Sequence, residues 1–346
     1  MKKIIFLAGL FVWFASCQKE KPTTIVPTGG LYVINEGNFM FGNAEISFYD
    51  PVQKSVINGL FSERNGFQLG DVAQSMYIMD STGYIVVNNS TKIEVVRLPE
   101  LKWIRTLTIP NSSPRYFLPV NDSIAYVTEL YAKKIWIINY RTGVLKNTLT
   151  VQGWTEKMYL AGMFVFVQQK VNSLISGSEG NILKINISNH SIVKTAQING
   201  RNVFDLTTDG QGRLWASLAP DSAAGIKPAI VCYDNDLNPI KTYTFDNYNR
   251  SAWYIAGEEN GVCYYTQGGI YRVNIQQQEL SSIPVIQTDE KNVYALFVNR
   301  STGEIYFSDA LDYVQPSQIY RYDKNGNFVH QFTAGVIAGN FALYEP

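Results

Sequence analysis

The sequence predicts an all-β chain, a seven-bladed β-propeller of four-stranded antiparallel blades closed by its own C-terminal strand. Three observations carry the prediction. Residues 125–149 read as three short strands rich in β-branched and aromatic residues, with turn chemistry at 140–143 and a further strand upstream at 115–119. The same punctuation, an apolar-x-apolar strand ending in Asp, Asn or Arg, then recurs seven times. Its last residues are Asp50, Arg97, Asn139, Asn186, Asp234, Asn274 and Asp323, spaced 47, 42, 47, 48, 40 and 49 apart. A period in the forties with four strands per unit is the mark of a propeller. Finally, residues 340–343 echo 203–206 and 293–296, which open blades. The tail is therefore expected to supply the innermost strand of the blade begun at the N-terminus, leaving no unpaired edge.

In chain order, blade one uses 31–35, 46–50 and 55–57, with a long loop at 36–43. Blade two uses 74–79, 84–87, 93–97 and 103–107, and blade three is the prototype at 115–149. Blade four runs 157–160, 164–168, 181–186 and 193–198, with a polar insertion at 169–180. Blade five is 203–207, 214–217, 229–234 and 240–244; blade six is 253–256, 262–266, 270–274 and 281–285. Blade seven is 293–298, 305–308, 318–323 and 328–332. One such ring accounts for residues 30–346 as a single domain, since all-β rings routinely exceed average domain size.

Composition narrows the function classes. Formal net charge is zero and only 17% of residues are charged, with no clustered Lys/Arg stripe, so the phosphate neutralisation that nucleic-acid binding demands is not supplied. Catalytic signatures are scarce. There are two histidines, His190 in a turn and His330 in an outer strand, and no zinc-protease helix, Cys-x-x-Cys or Gly-x-Ser-x-Gly elbow. Asp234–Asp236 and Asp323–Asn327 have a faint likeness to calcium loops but lack the distal bidentate Glu, and hairpin turns account for them. No metal site and no catalytic residue is therefore assigned, and the chain is not expected to be an enzyme. Cys232 and Cys263 fall in strands of neighbouring blades, where they either pair or stay buried as free thiols.

The first 16 residues read as a signal peptide: Lys2 and Lys3 precede an apolar run at 4–14 that is too short for a permanent span. Phe14–Cys17 resembles a bacterial lipobox, which makes Cys17 the lipidation site, against the plainer reading of secretion with an incidental cysteine. Residues 17–29 then form a lipid-anchored flexible tether, rich in Thr, Pro and Gly towards its end.

The candidate site follows from loop geometry. Short turns containing Asp or Gly at 80–83, 209–212, 234–237, 300–303 and 323–326 all join first to second or third to fourth strands, so they share one rim. The opposite rim receives the longer loops and carries a ring of aromatics interleaved with amides and charges. Its members are Asn35, Glu36, Asn38, Phe39, Phe41, Asn88, Arg115, Glu129, Tyr131, Trp154, Gln168, Arg201, Trp253, Gln267, Asp309 and Tyr313. Each aromatic buries on the order of 150–250 Å², so three or four would cover a large flat ligand while amides and guanidinium groups orient it.

Tyr126–Glu129, with 135–139 and Thr142-Gly143, resembles the YVTN-type repeat of surface-layer and YncE-like propellers. The opening at 31–38, followed by 46–50, resembles Bacteroidetes propeller lipoproteins, among them BtuG-type proteins that capture cobalamin at the cell surface. That resemblance implies a lipoprotein on the outer face of the outer membrane, holding cobalamin or another corrinoid over a TonB-dependent transporter. The charged stretch 18–21 is similar to the export signal of such lipoproteins. Three Asp-Ser sites, at Asp80, Asp122 and Asp221, are similar to the O-glycosylation acceptors of the same bacteria. Two other classes remain: a surface module binding glycan or protein through the same aromatics, and a metal- or quinone-dependent propeller enzyme.

Overall fold

The computed structural model describes residues 27–170, 180–198, 202–266 and 268–346. Cys17, Arg201, Gln267 and most of the 169–180 insertion lie outside the described residues. Seven four-stranded antiparallel sheets form the ring. The chain enters with β1 (Gly30–Asn35), β2 (Glu45–Asp50) and β3 (Ser55–Ile57), followed by a short helix α1 (Leu60–Asn65). Blade two is β4 (Ala73–Met79), β5 (Thr82–Val87), β6 (Lys92–Arg97) and β7 (Lys102–Thr108). Blade three is β8 (Pro114–Pro119), β9 (Ile124–Glu129), β10 (Lys134–Asn139) and β11 (Val144–Thr150). Blade four is β12 (Trp154–Ala161), β13 (Phe164–Lys170), β14 (Asn181–Asn186) and β15 (Ser191–Gln197). Blade five is β16 (Val203–Thr208), β17 (Leu214–Leu218), β18 (Ala229–Tyr233) and β19 (Pro239–Thr244). Blade six is β20 (Tyr254–Gly257), β21 (Gly261–Thr266), β22 (Gly269–Asn274) and β23 (Ile286–Gln287). Blade seven is β24 (Val293–Val298), β25 (Ile305–Asp309), β26 (Pro316–Tyr322) and β27 (Phe328–Val336). The last strand, β28 (Ala338–Tyr344), pairs with β1 and completes blade one, as the sequence echo predicts.

Apolar cores lie at the seven blade junctions because alternate residues of a strand point to opposite faces of its sheet. Tyr84 and Val86 pack towards blade three, while Ile85 and Val87 pack towards blade one. Both faces of each inner strand are therefore buried, and the strands read as nearly continuous apolar runs rather than alternating ones.

Two local expectations need amendment. The outer strand of blade six forms at 286–287 rather than at 281–285. Pro284 has no N–H to give to a ladder, and the Ser281 hydroxyl closes a turn on Ile283, leaving Val285 N–H to Ile270 O (2.8 Å) as the first bond. Helix α1 left no sequence signal, being too short for a helical period. Glu45 holds its start by accepting from Phe61 N (2.9 Å) and Ser62 N (3.1 Å), and Leu60 and Phe61 are buried.

Gly30 pairs with Tyr344, so the chain enters β1 beside its own C-terminus, on the rim of short turns. The long loops and the inner-strand starts occupy the other end. Gly30 and the candidate face are therefore on opposite sides of the ring.

Candidate functional site

Six of the seven innermost strands are irregular at the end that meets the long-loop rim. Gln74, Phe204, Tyr294 and Gly339 are extra residues without a partner in their ladders. In β8 the pair Arg115 and Tyr116, and in β12 the pair Glu156 and Lys157, each stand against one residue of the neighbouring strand. A bulge sets two residues against one and re-aims the side chains at that point. Repeated around the ring, it turns polar side chains into the axis, where they line a throat of about 220 Å³.

The throat is strongly charged. Arg115 is clamped by Glu156, with Nε 3.1 and 3.0 Å from the two carboxylate oxygens and Nη2 3.0 Å from Oε1. Its Nη1 also donates to Gln74 Oε1. Lys157 Nζ lies 2.7 Å from Asp205 Oδ1, and Asp205 further accepts from Leu206 N (2.9 Å) and Ile255 N (3.0 Å). Burial alone would lower both cations; Glu156 more than offsets this for Arg115, and Asp205 does so for Lys157, so both stay charged.

Glu36 differs. It leans over β28 beside Gly339, where any Cβ would run into its carboxyl, and among the described residues it accepts only from the Tyr294 hydroxyl (3.3 Å). Burial pushes its pKa up to about 7, with Arg115 and Tyr294 pulling the other way and Glu156 adding to the rise. Lys170 is the sixth charged residue on the wall. With Glu36 ionised, the three carboxylates (Glu36, Glu156, Asp205) balance the three cations (Arg115, Lys157, Lys170) among the described residues.

Above the throat stands a rim of exposed apolar side chains. Phe41 is 77% exposed, Tyr131 73% and Trp253 48%, and Phe39, Met40, Tyr313 and Val314 are also exposed. Rim and throat are continuous on one side. Trp253 stacks on Phe204 (centroids 4.7 Å apart), and Tyr313 meets Tyr294 edge-on (5.7 Å). These aromatic contacts lie on blades five to seven, while the charged groups come from blades one, three, four and five. Below the throat the channel widens to about 630 Å³, lined largely by Met76, Phe117, Met158, Leu296 and Phe297.

The structure sorts the sequence-predicted residues into three groups. Glu36, Arg115 and Gln168 line the throat, and Asn38, Phe39, Phe41, Tyr131, Trp253 and Tyr313 form the rim. A third group ties the fold together. Asn35 donates to Ser47 Oγ and accepts from Gly335 N, while Asn88 donates to Pro114 O of the next blade. Glu129 accepts from Ser113 N, Tyr131 N, Ala132 N and Trp136 Nε1, and Asp309 accepts from Asn292 N and Leu311 N. Gln168 belongs here as well, donating to Val203 O and Phe204 O (both 3.1 Å). Trp154, half-buried at the start of β12, has a buried Nε1 without a partner among the described residues.

Loop reasoning missed Gln74, Tyr116, Glu156, Lys157, Asp205, Tyr254 and Tyr294, because these sit on strands rather than loops. The available signal was polarity out of place: charged residues one to three positions into strands that are otherwise apolar. Elsewhere, the two histidines are peripheral, His190 bonded to Tyr126 OH (2.7 Å) and His330 to Tyr49 OH (3.2 Å). Cys232 and Cys263 are free and buried.

Residues 29–336 match the family model described as a domain of unknown function (DUF5074). Among solved structures, the chain is similar to a quinonprotein alcohol dehydrogenase-like protein from Bacteroides thetaiotaomicron. The TM-score is 0.72 at 15% identity, covering 91% of this chain and 78% of that one. It is also similar to a virginiamycin B lyase from Staphylococcus aureus, with TM-score 0.57 and 14% identity over 75% of this chain and 83% of that one. Dihydro-heme d1 dehydrogenase NirN in complex with DHE gives 0.55 and 10% over 91% and 76%. At such identities the likeness is one of fold. No curated protein matches the sequence.

Proposed function

The chain belongs to the DUF5074 family, and from its long-loop face we propose that it is a capture protein for a large, partly flat, amide-rich small molecule. Cobalamin or another corrinoid is the ligand class that fits best. The observation that carries this is the exposed aromatic rim around a throat of only about 220 Å³, below the usual range of ~300–1,000 Å³ for a pocket that encloses a drug-sized ligand. A corrinoid is larger still. Its body rests on the rim, against Trp253, Tyr313, Tyr131 and the Phe39–Phe41 loop, and only a side arm descends.

The tether leaves from the opposite rim. With a lipid on Cys17, residues 18–29 reach roughly 40 Å at full extension, which holds the ring close to the membrane surface with its mouth unobstructed. On the cell surface, BtuG-type, the protein would hand its ligand to a TonB-dependent outer-membrane transporter. Purified protein mixed with excess cyanocobalamin and passed over gel filtration tests the first step: red colour co-eluting with the protein is expected, and a colourless peak would sink the ligand. Release of the protein from membranes by Cys17→Ala tests the anchor.

One observation favours a second reading, an acid–base enzyme. Glu36 titrates near neutrality beside a hydroxyl and a guanidinium, as a general base does. Under that reading Glu36→Gln abolishes turnover of a substrate; under the capture reading the wild type binds its ligand and returns it unchanged.

A further inference from the structure

The ion pairs of the throat leave several polar groups unspent among the described residues, Lys170 and three others that face one another across the axis. The Glu36 carboxylate has one partner at 3.3 Å. The hydroxyls of Tyr116 and Tyr254, both on the throat wall, make no hydrogen bond among the described residues. Both hydroxyls open onto the throat, so an entering ligand meets them as free donors. Burial raises the phenols of Tyr116, Tyr254 and Tyr294 alike, so each remains an O–H donor at neutral pH. An acceptor on blade one therefore faces donors on blades three and six across the axis.

Charge decides what such a site admits. Among the described residues, the six ionic groups on the wall cancel when Glu36 is ionised. An arm with a net charge would bring an uncompensated ion into an enclosed site, where its desolvation costs several kcal/mol. A neutral arm offering both an N–H and a C=O leaves that balance unchanged and answers the Glu36 carboxylate and one of the two hydroxyls.

We propose that the throat is a subsite for one uncharged carboxamide arm of the ligand, its N–H donating to Glu36 and its carbonyl accepting from Tyr116 or Tyr254. The assignment rests on the capture function proposed above and adds to it the chemistry of the part that descends. The groups facing Glu36 are Arg115 from β8, Glu156 from β12, Tyr254 from β20 and Tyr294 from β24. An arm ending in carboxylate would meet Glu36 as a like charge, while Arg115 is already held by Glu156 and Lys157 by Asp205, which leaves Lys170 as the wall cation without an ion pair among the described residues.

The test is calorimetric titration of the full chain at pH 8 with cyanocobalamin and with its monocarboxylic acids, in each of which one carboxamide has been hydrolysed. At least one isomer is expected to bind ten-fold or more weakly than the parent. Glu36→Gln should shrink that gap below three-fold by removing the repulsion. Gly339→Ala, which displaces the Glu36 carboxyl without deleting it, should do the same and covers the case in which the first variant misfolds. Isomers that all bind within two-fold of the parent, or a gap unchanged in both variants, would overturn the subsite.

Should cyanocobalamin give no heat at all, the corrinoid is lost, and the throat is then read by saturation-transfer NMR with nicotinamide against nicotinate. A nicotinamide signal that nicotinate lacks in the wild type and gains in Glu36→Gln keeps the carboxamide subsite. Equal signals, or none, discard it.

Discussion

Glu129 and Glu36 are both glutamates at the upper end of a second strand, yet the ring uses them in opposite ways. Four donors are aimed at Glu129: three backbone N–H groups and the Trp136 indole at 2.8 Å. Asp209 is treated similarly by Gln211 N, Arg213 and Trp215 Nε1 (2.8 Å). Glu36 is given one hydroxyl and a cavity. A buried charge answered by fixed donors helps hold the fold, whereas one left facing a cavity costs stability until something arrives to answer it. The contrast separates scaffold from site without reference to any ligand.

The largest effect expected from that contrast is at Glu129. Glu129→Ala strands three backbone donors and an indole in the core, and should destabilise the ring by about 3–5 kcal/mol in urea titration. A loss below about 1 kcal/mol would mean that water replaces the carboxylate without difficulty.

At Glu36 the sign reverses. A carboxyl raised to about 7 from the ordinary 4.5 binds its proton more tightly folded than unfolded. Its contribution to stability is thus full at low pH and is lost as pH rises through 7. Glu36→Gln should therefore be more stable than wild type at pH 8, by up to about 3 kcal/mol, with the difference largely gone at pH 5. Thermal melts at the two pH values check this, and a variant less stable at pH 8 would place Glu36 with the scaffold.

The same contrast explains what was legible in the sequence. The seven third strands announced themselves because each ends in a turn-capping Asp, Asn or Arg; Asn139 and Asn186 do accept from the N–H groups that follow them. The closing strand was legible because 340–343 repeats an inner-strand pattern that burial on both faces imposes. The site was half legible. Exposed aromatics such as Tyr131 and Trp253 lie on the rim where loop geometry puts them. Asn35, Asn88, Glu129 and Asp309 come from the same ring of positions yet are consumed by the fold, since a strand end next to a neighbouring blade must satisfy that blade's unpaired N–H and C=O groups. No residue type tells the two uses apart. The throat itself depends on bulges, which shift Gln74, Glu156, Lys157 and Tyr294 out of alternation, and a pattern of period two cannot foresee a break in its own period.

Rim and tie residues can be separated next. Trp253→Ala removes an exposed indole stacked on Phe204 and should weaken cyanocobalamin binding roughly ten-fold, about 1.4 kcal/mol, with little change in melting temperature. Asn88→Ala should do the reverse, since it breaks the 2.9 Å bond to Pro114 O between two blades and touches nothing on the rim. Melting curves and titration of both variants give four numbers, and a shared phenotype would erase the distinction between capture surface and scaffold.

The smallest effect belongs to the opposite rim. The Asp323 side chain accepts from the Asn327 amide (2.9 Å) and from the backbone N–H groups of Asn327 and Asn325 (both 2.8 Å), which holds its carboxyl below the usual range. A depressed pKa lends stability above the unfolded value and loses it as pH falls through the folded one. The group is fully exposed, however, so solvent screens most of that gain. Asp323→Asn keeps an acceptor for both N–H groups, and should move the melting temperature by no more than about 2 °C at pH 7, with the difference shrinking as pH falls. A larger loss at pH 7, restored by added calcium in wild type alone, would show that this turn holds a cation after all and that the lower rim is more than a set of hairpins.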